Sequence, residues 1–130
     1  MVVLRSVVMI AALVLGGCTV DQVKKEVPLF SSGEQELAFG IKYYEDGNYG
    51  HAQEDIQSAI ASGLSTASET KAHKYLAFIH CISGREGQCR DEFRRMLEIS
   101  PSQELTPAEA GHPVWGPVFR SVKLSAKSKK

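Results

Sequence analysis

Four stretches of the chain carry apolar residues at intervals of three and four, the spacing of one face of an α-helix. Residues 34–45 place Leu37, Ile41 and Tyr44, with Ala38, on one face. Residues 49–62 do the same with Ala52, Ile56, Ala59 and Ile60. Residues 71–83 carry a broader set, Ala72, Tyr75, Leu76, Ile79 and Ile82, and residues 88–99 carry Cys89, Phe93, Met96 and Leu97. Turn chemistry separates them: Asp46-Gly47-Asn48 breaks the first from the second. Gly63 is placed for a C-terminal cap, and Thr66-x-x-Glu69 has capping-box spacing at the next start. Gly84 ends the third stretch, and Pro101 stands where a helix cannot continue. No segment alternates as a strand does. The pattern predicts an all-α fold built on two helical hairpins.

A further segment, residues 104–124, follows. Thr106-Pro107-Ala108-Glu109 reads as a capping box with proline at the first helical position. Gly111-His112-Pro113 interrupts it, and Trp115, Val118, Phe119 and Val122 then make a 0/3/4/7 stripe on another helix. This helix is expected to cap the second hairpin, because a stack of helical hairpins otherwise ends on an apolar face. The sharper alternative makes Trp115 an exposed partner anchor, tryptophan being enriched at binding hot spots. Residues 125–130 read as a solvated basic tail.

The hairpins repeat one another. Gly40 and Ala77, Gly47 and Gly84, Ala52 and Cys89, and Ile56 and Phe93 are all offset by 37. Small residues at Gly40, Ala52, Ala77 and Cys89 let paired helices approach, while Tyr43, Ile56 and Phe93 fill the wedge between them. Residues 33–103 thereby resemble tetratricopeptide repeats. Glu36 stands where that family has an early tryptophan, and His80 and Glu86 replace its aromatics in the second copy. The resemblance implies a binding surface on the first helix of each hairpin. Gln35, Lys42, Glu45 and Lys74, with Tyr43 or Phe39, would contribute to it, and Lys42, Tyr43, Lys74 and Trp115 are the candidate partner-binding residues.

The N-terminus reads as an address. Arg5 precedes nine unbroken apolar residues, 7–15, fewer than the ~20 a membrane-spanning helix needs but right for a signal-peptide core. Leu15-Gly16-Gly17-Cys18 resembles the bacterial lipobox, in which the segment before the cysteine is removed and the cysteine is acylated. Residues 1–17 are therefore expected to be a lipoprotein signal peptide, Cys18 the lipidation site, and residues 18–32 a tether. Residues 20–27 could alternatively form a short helix. Two or three acyl chains give stable attachment where one is marginal. Thr19, rather than Asp, after the cysteine favours the outer membrane, facing the periplasm, in the sorting pattern this resembles.

Composition narrows the classes. The 130 residues carry 15 Lys+Arg and 15 Asp+Glu, which suits one small domain and argues against nucleic acid as a partner. Beside Cys18, Cys81 and Cys89 flank a single predicted turn. In an oxidising compartment they are expected to form a disulfide; the alternative is two buried thiols. A metal set of His73, His80, Cys81 and Cys89 lacks the usual ligand spacings, and a cysteine nucleophile would need a free thiol beside a histidine base. No phosphate loop, dinucleotide fingerprint or nucleophile elbow is present, so neither an enzyme nor a cofactor is expected.

The stretch PAEAGHPVWGPVFR at 107–120, with HKYLAFIHC at 73–81 and CRDEFR at 89–94, resembles the small repeat-bearing lipoproteins of type VI secretion, the TssQ-like family, over residues 33–123. That resemblance implies a non-catalytic adaptor whose partners are envelope or secretion-complex proteins. The alternatives are an outer-membrane assembly or pilus-biogenesis lipoprotein, or a small thiol-dependent enzyme using Cys81 and Cys89.

Overall fold

The computed structural model describes residues 32–129. The expected signal segment, Cys18 and all of the tether except Ser32 lie outside the described residues. Six helices follow in order: α1 Ser32–Glu45, α2 Tyr49–Ser62, α3 Thr66–Ile82, α4 Glu86–Ile99, α5 Pro107–Ala110 and α6 Trp115–Lys127. Among the described residues there is no strand. The helices α1–α2 and α3–α4 form the two hairpins, and α6 packs on α4 and α3.

The 37-residue offset extends to the backbone. Gly47 and Gly84 both take positive φ, 77° and 75°, which glycine adopts without a Cβ penalty. The next residues, Asn48 and Arg85, have nearly equal dihedrals, −89°/72° and −95°/64°. Asn48 N–H donates to the Tyr43 carbonyl and Arg85 N–H to the His80 carbonyl, each at 2.8 Å. Only Asn48 also caps its helix by side chain, accepting from His51 N–H. The two hairpins thus use one turn, held by different side chains.

Two apolar clusters share α3. Leu37, Ala52, Ile56, Ala59, Ala72, Leu76 and Ile79 close the first hairpin onto α3. Phe78, Cys89, Phe93, Met96 and Leu97 close the second and receive Trp115, Val118, Phe119 and Val122 from α6. Burying a large apolar side chain fully stabilises by ~1.5–3 kcal/mol, so a small domain depends on each. Gly40 sets the approach of α1 to α2: a Cβ there would lie 2.6 Å from Ile56 Cγ1 and 3.2 Å from the Ala52 carbonyl oxygen.

Several expectations need correction. Helix α1 begins at Ser32 rather than Glu34, and Ala38 is exposed, because the buried edge runs through Gly33, Leu37 and Gly40. The N-cap of α3 is Ser65, not Thr66: the Ser65 hydroxyl accepts from Ser68 N–H. Glu34 of α1 reinforces that end, accepting from Ser65 N–H at 3.3 Å and from the Ser68 hydroxyl at 2.7 Å. Those hydrogen bonds, the Ser68 one foremost, hold its carboxyl below the usual range. Helix α4 starts at Glu86, ahead of Gln88, and α6 continues to Lys127 through what reads as a tail. The Thr106–Glu109 box forms as expected, with Pro107 inside the first turn.

Candidate functional site

An aromatic strip runs from the end of α1 and the start of α2 across the middle of α3 to the cap. Tyr44, in the last turn of α1, lies 5.6 Å from Tyr49 and 5.0 Å from Tyr75 between ring centroids. Tyr75 is 6.0 Å from Phe78, Phe78 is 4.2 Å from Trp115, and Trp115 is 3.4 Å from His112. Tyr49 is exposed, Tyr44 and Tyr75 are half-buried, and Phe78 and Trp115 are buried. The strip thus passes from a wet edge to a dry end.

Among the described residues the Tyr44 and Tyr75 hydroxyls have no hydrogen-bond partner, and no fully buried side-chain polar atom is left unpaired. Both hydroxyls therefore keep some contact with solvent. Burial of the ring pushes the Tyr44 phenol up to about 12, with Tyr49, Tyr75 and Glu109 adding to the rise. Burial raises Tyr75 as well, aided by the nearby Glu109 and Glu45 carboxylates. At neutral pH both are hydroxyl donors.

The sequence candidates divide. Lys74, expected as a partner-binding residue, is tied to Glu109 at 2.7 Å, with its ammonium 5.3 Å from the Tyr75 ring centroid and 5.8 Å from that of Phe78. It fastens α5 to α3. Burial alone would raise the Glu109 carboxyl; hydrogen bonds from Lys74 and from Thr106 N–H outweigh it and leave that carboxyl lowered. Lys42 is exposed and paired with Asp46 at 2.6 Å one helical turn on, a surface pair of small energetic value. Tyr43 is 37 % exposed and packs against His51, on a patch of its own with Phe39. Trp115 is only 7 % exposed, and its indole N–H donates to the Glu109 carbonyl at 2.8 Å. The exposed-anchor reading of Trp115 is therefore corrected: Phe78 and His112 hold the ring within the cap.

Cys81 and Cys89 form a disulfide, Sγ–Sγ 2.06 Å, joining α3 to α4 across their turn. That leaves neither sulfur for a metal or for nucleophilic attack. The histidines of the metal alternative are also engaged. His73 Nδ1 lies 2.5 Å from Glu92, and His80 Nδ1 accepts from Arg85 Nε at 2.9 Å. Arg85 reaches on to Gln53 of α2 at 2.7 Å, linking the hairpins. Burial, then the Arg85 charge, lowers the His80 pKa. Among the described residues no group of three His, Cys, Asp or Glu could hold a metal ion, and no helix is long and apolar enough to cross a membrane. A cleft of about 260 Å³ lies between α4 and α6 over Leu97 and Val122. Its arginines are already paired, Arg90 with Glu86 and Arg94 with Asp91.

Sequence reading missed the strip. Tyr44 and Tyr75 sit at the edges of apolar stripes, which shows that a ring touches the core but not that its hydroxyl stays wet.

Two hairpins on a shared central helix, closed by a terminal helix, define a tetratricopeptide-like α-helical protein. The chain is distantly similar to the Photosystem I assembly protein Ycf3 of Synechococcus sp. (strain CC9605), a tetratricopeptide-repeat protein, with 23 % identity over 86 residues. That similarity takes in 64 % of this chain and 50 % of Ycf3, so the chain spans about half the length of its curated relative. No family model and no solved structure matches the chain.

Proposed function

We propose that the protein is a lipid-tethered adaptor outside the cytoplasm, holding protein partners on its repeat surface. The observation that carries this reading is the Tyr44–Tyr49–Tyr75 strip, part-exposed aromatic surface with unpartnered hydroxyls at the meeting of the hairpins. Tyrosine of this kind is enriched in protein interfaces, one end apolar and the other wet. The Leu15–Cys18 motif supports the tether. The Cys81–Cys89 disulfide supports an oxidising compartment, where such bonds persist. The distant relative is named as an assembly protein, which agrees with a part that holds others together. The residues at 73–81, 89–94 and 107–120 favour a type VI secretion apparatus as the place of work.

Fractionation of cells carrying Cys18→Ser tests the tether. The wild type is expected in the outer-membrane fraction and the variant in the soluble periplasm. A variant that stays with the outer membrane at wild-type levels refutes the lipid anchor.

A further inference from the structure

We infer that the strip from Tyr49 through Tyr44 to Tyr75 docks an extended, proline-containing segment of a protein partner, with a Lys or Arg beside its prolines. This rests on the adaptor reading and gives its partner a chemistry. Three tyrosine rings within 5.6 Å of their neighbours, Tyr49 exposed and Tyr44 and Tyr75 half-buried, offer apolar surface against which pyrrolidine rings pack. The half-buried rings of Tyr44 and Tyr75 keep their hydroxyls at the surface as unpartnered donors. A helix satisfies its own backbone and has little use for them. A polyproline II segment has no internal hydrogen bonds, so its carbonyls are free to accept, and aromatic-lined grooves are how such segments are recognised.

Charge selects the flanking residue. Lys74 and Glu109 neutralise one another at 2.7 Å. Glu45, next to Tyr44, makes no hydrogen bond or salt bridge among the described residues. Its charge is felt by Lys42 and by Tyr75, but no cation closes on it, so a carboxylate stands at the edge of the strip, complementary to a cation on the partner.

The test is fluorescence anisotropy of a labelled, lysine-flanked oligoproline peptide against the full chain in detergent. Saturable binding is expected, with none for a lysine-flanked Gly-Ser peptide or an alanine-rich helical one. Tyr44→Phe with Tyr75→Phe keeps both rings, leaves the thermal transition in place and weakens binding about tenfold, the loss of two modest hydrogen bonds. Glu45→Gln weakens the lysine-flanked peptide several-fold and leaves a glycine-flanked oligoproline unchanged. Binding no tighter than to Gly-Ser, tighter binding of the helical peptide, or indifference to the paired Phe substitutions overturns the inference. If oligoproline fails while a photo-crosslinker at position 49 still captures a partner in cells, the proline chemistry is wrong and the adaptor reading stands.

Discussion

Trp115 lies stacked on Phe78, ring centroids 4.2 Å apart and planes 21° from parallel. One residue opens α6 and the other sits in the C-terminal half of α3, so the stack joins the cap to the helix both hairpins share. Phe78 in turn meets Phe93 edge-on at 6.1 Å, and Phe93 meets Phe119 at 5.2 Å. The cap is keyed into the second cluster by two rings in the first half of α6.

Trp115→Ala is therefore expected to cost ~3–5 kcal/mol, a large part of the ~5–15 kcal/mol that stabilises a small domain. Urea titration reads the loss. An unchanged midpoint would contradict the cap.

Gly40→Ala should destabilise by ~1–3 kcal/mol, because the new methyl would press on Ile56 and the backbone of α2. Gly50→Ala serves as the control. Nothing lies within 4 Å of a Cβ there, and alanine is the better helix former, so the midpoint should hold or rise. Equal effects at the two positions would show that α1 and α2 are not this close.

His80 gives a pH dependence with a definite sign. Its folded pKa lies below the ordinary value of 6.5, since burial and Arg85 favour the neutral ring. Its contribution to stability is whole above 6.5 and is lost as pH falls from there through the folded value. Denaturant midpoints across that range should drop in the wild type and drop less in His80→Gln. Identical slopes would contradict the assignment.

The disulfide closes a loop of sequence separation 8. Replacing Cys81 and Cys89 together by alanine should cost ~2–3 kcal/mol, near or below the estimate for a 15-residue loop. Peptide mapping without reductant should find the two joined in protein isolated from cells. Two free thiols would remove both the bond and a support for the compartment.

The hairpins were legible because their information is local. Three- and four-residue spacing marks the faces, glycine marks the turns, and Thr106 and Glu109 cap one helix from within four residues. The offset linking Gly47 to Gly84 even predicts matching turns. What stayed hidden is long-range. Lys74 reads as a partner-binding residue until Glu109, 35 residues on, closes on it. Helix α3 reads as broadly one-sided, yet α6 arrives on its other flank and buries Phe78. The capping end of α3 is shared with Glu34 of α1, a partner no local motif announces.

The most direct test of the adaptor account is in-cell photo-crosslinking from p-benzoylphenylalanine placed at position 49, on the strip, and at position 57, at exposed Gln57 on α2. The account predicts a discrete protein adduct from Tyr49→p-benzoylphenylalanine and none from the Gln57 variant. No adduct from position 49, or the same adduct from both, would contradict a partner surface on the tyrosine strip.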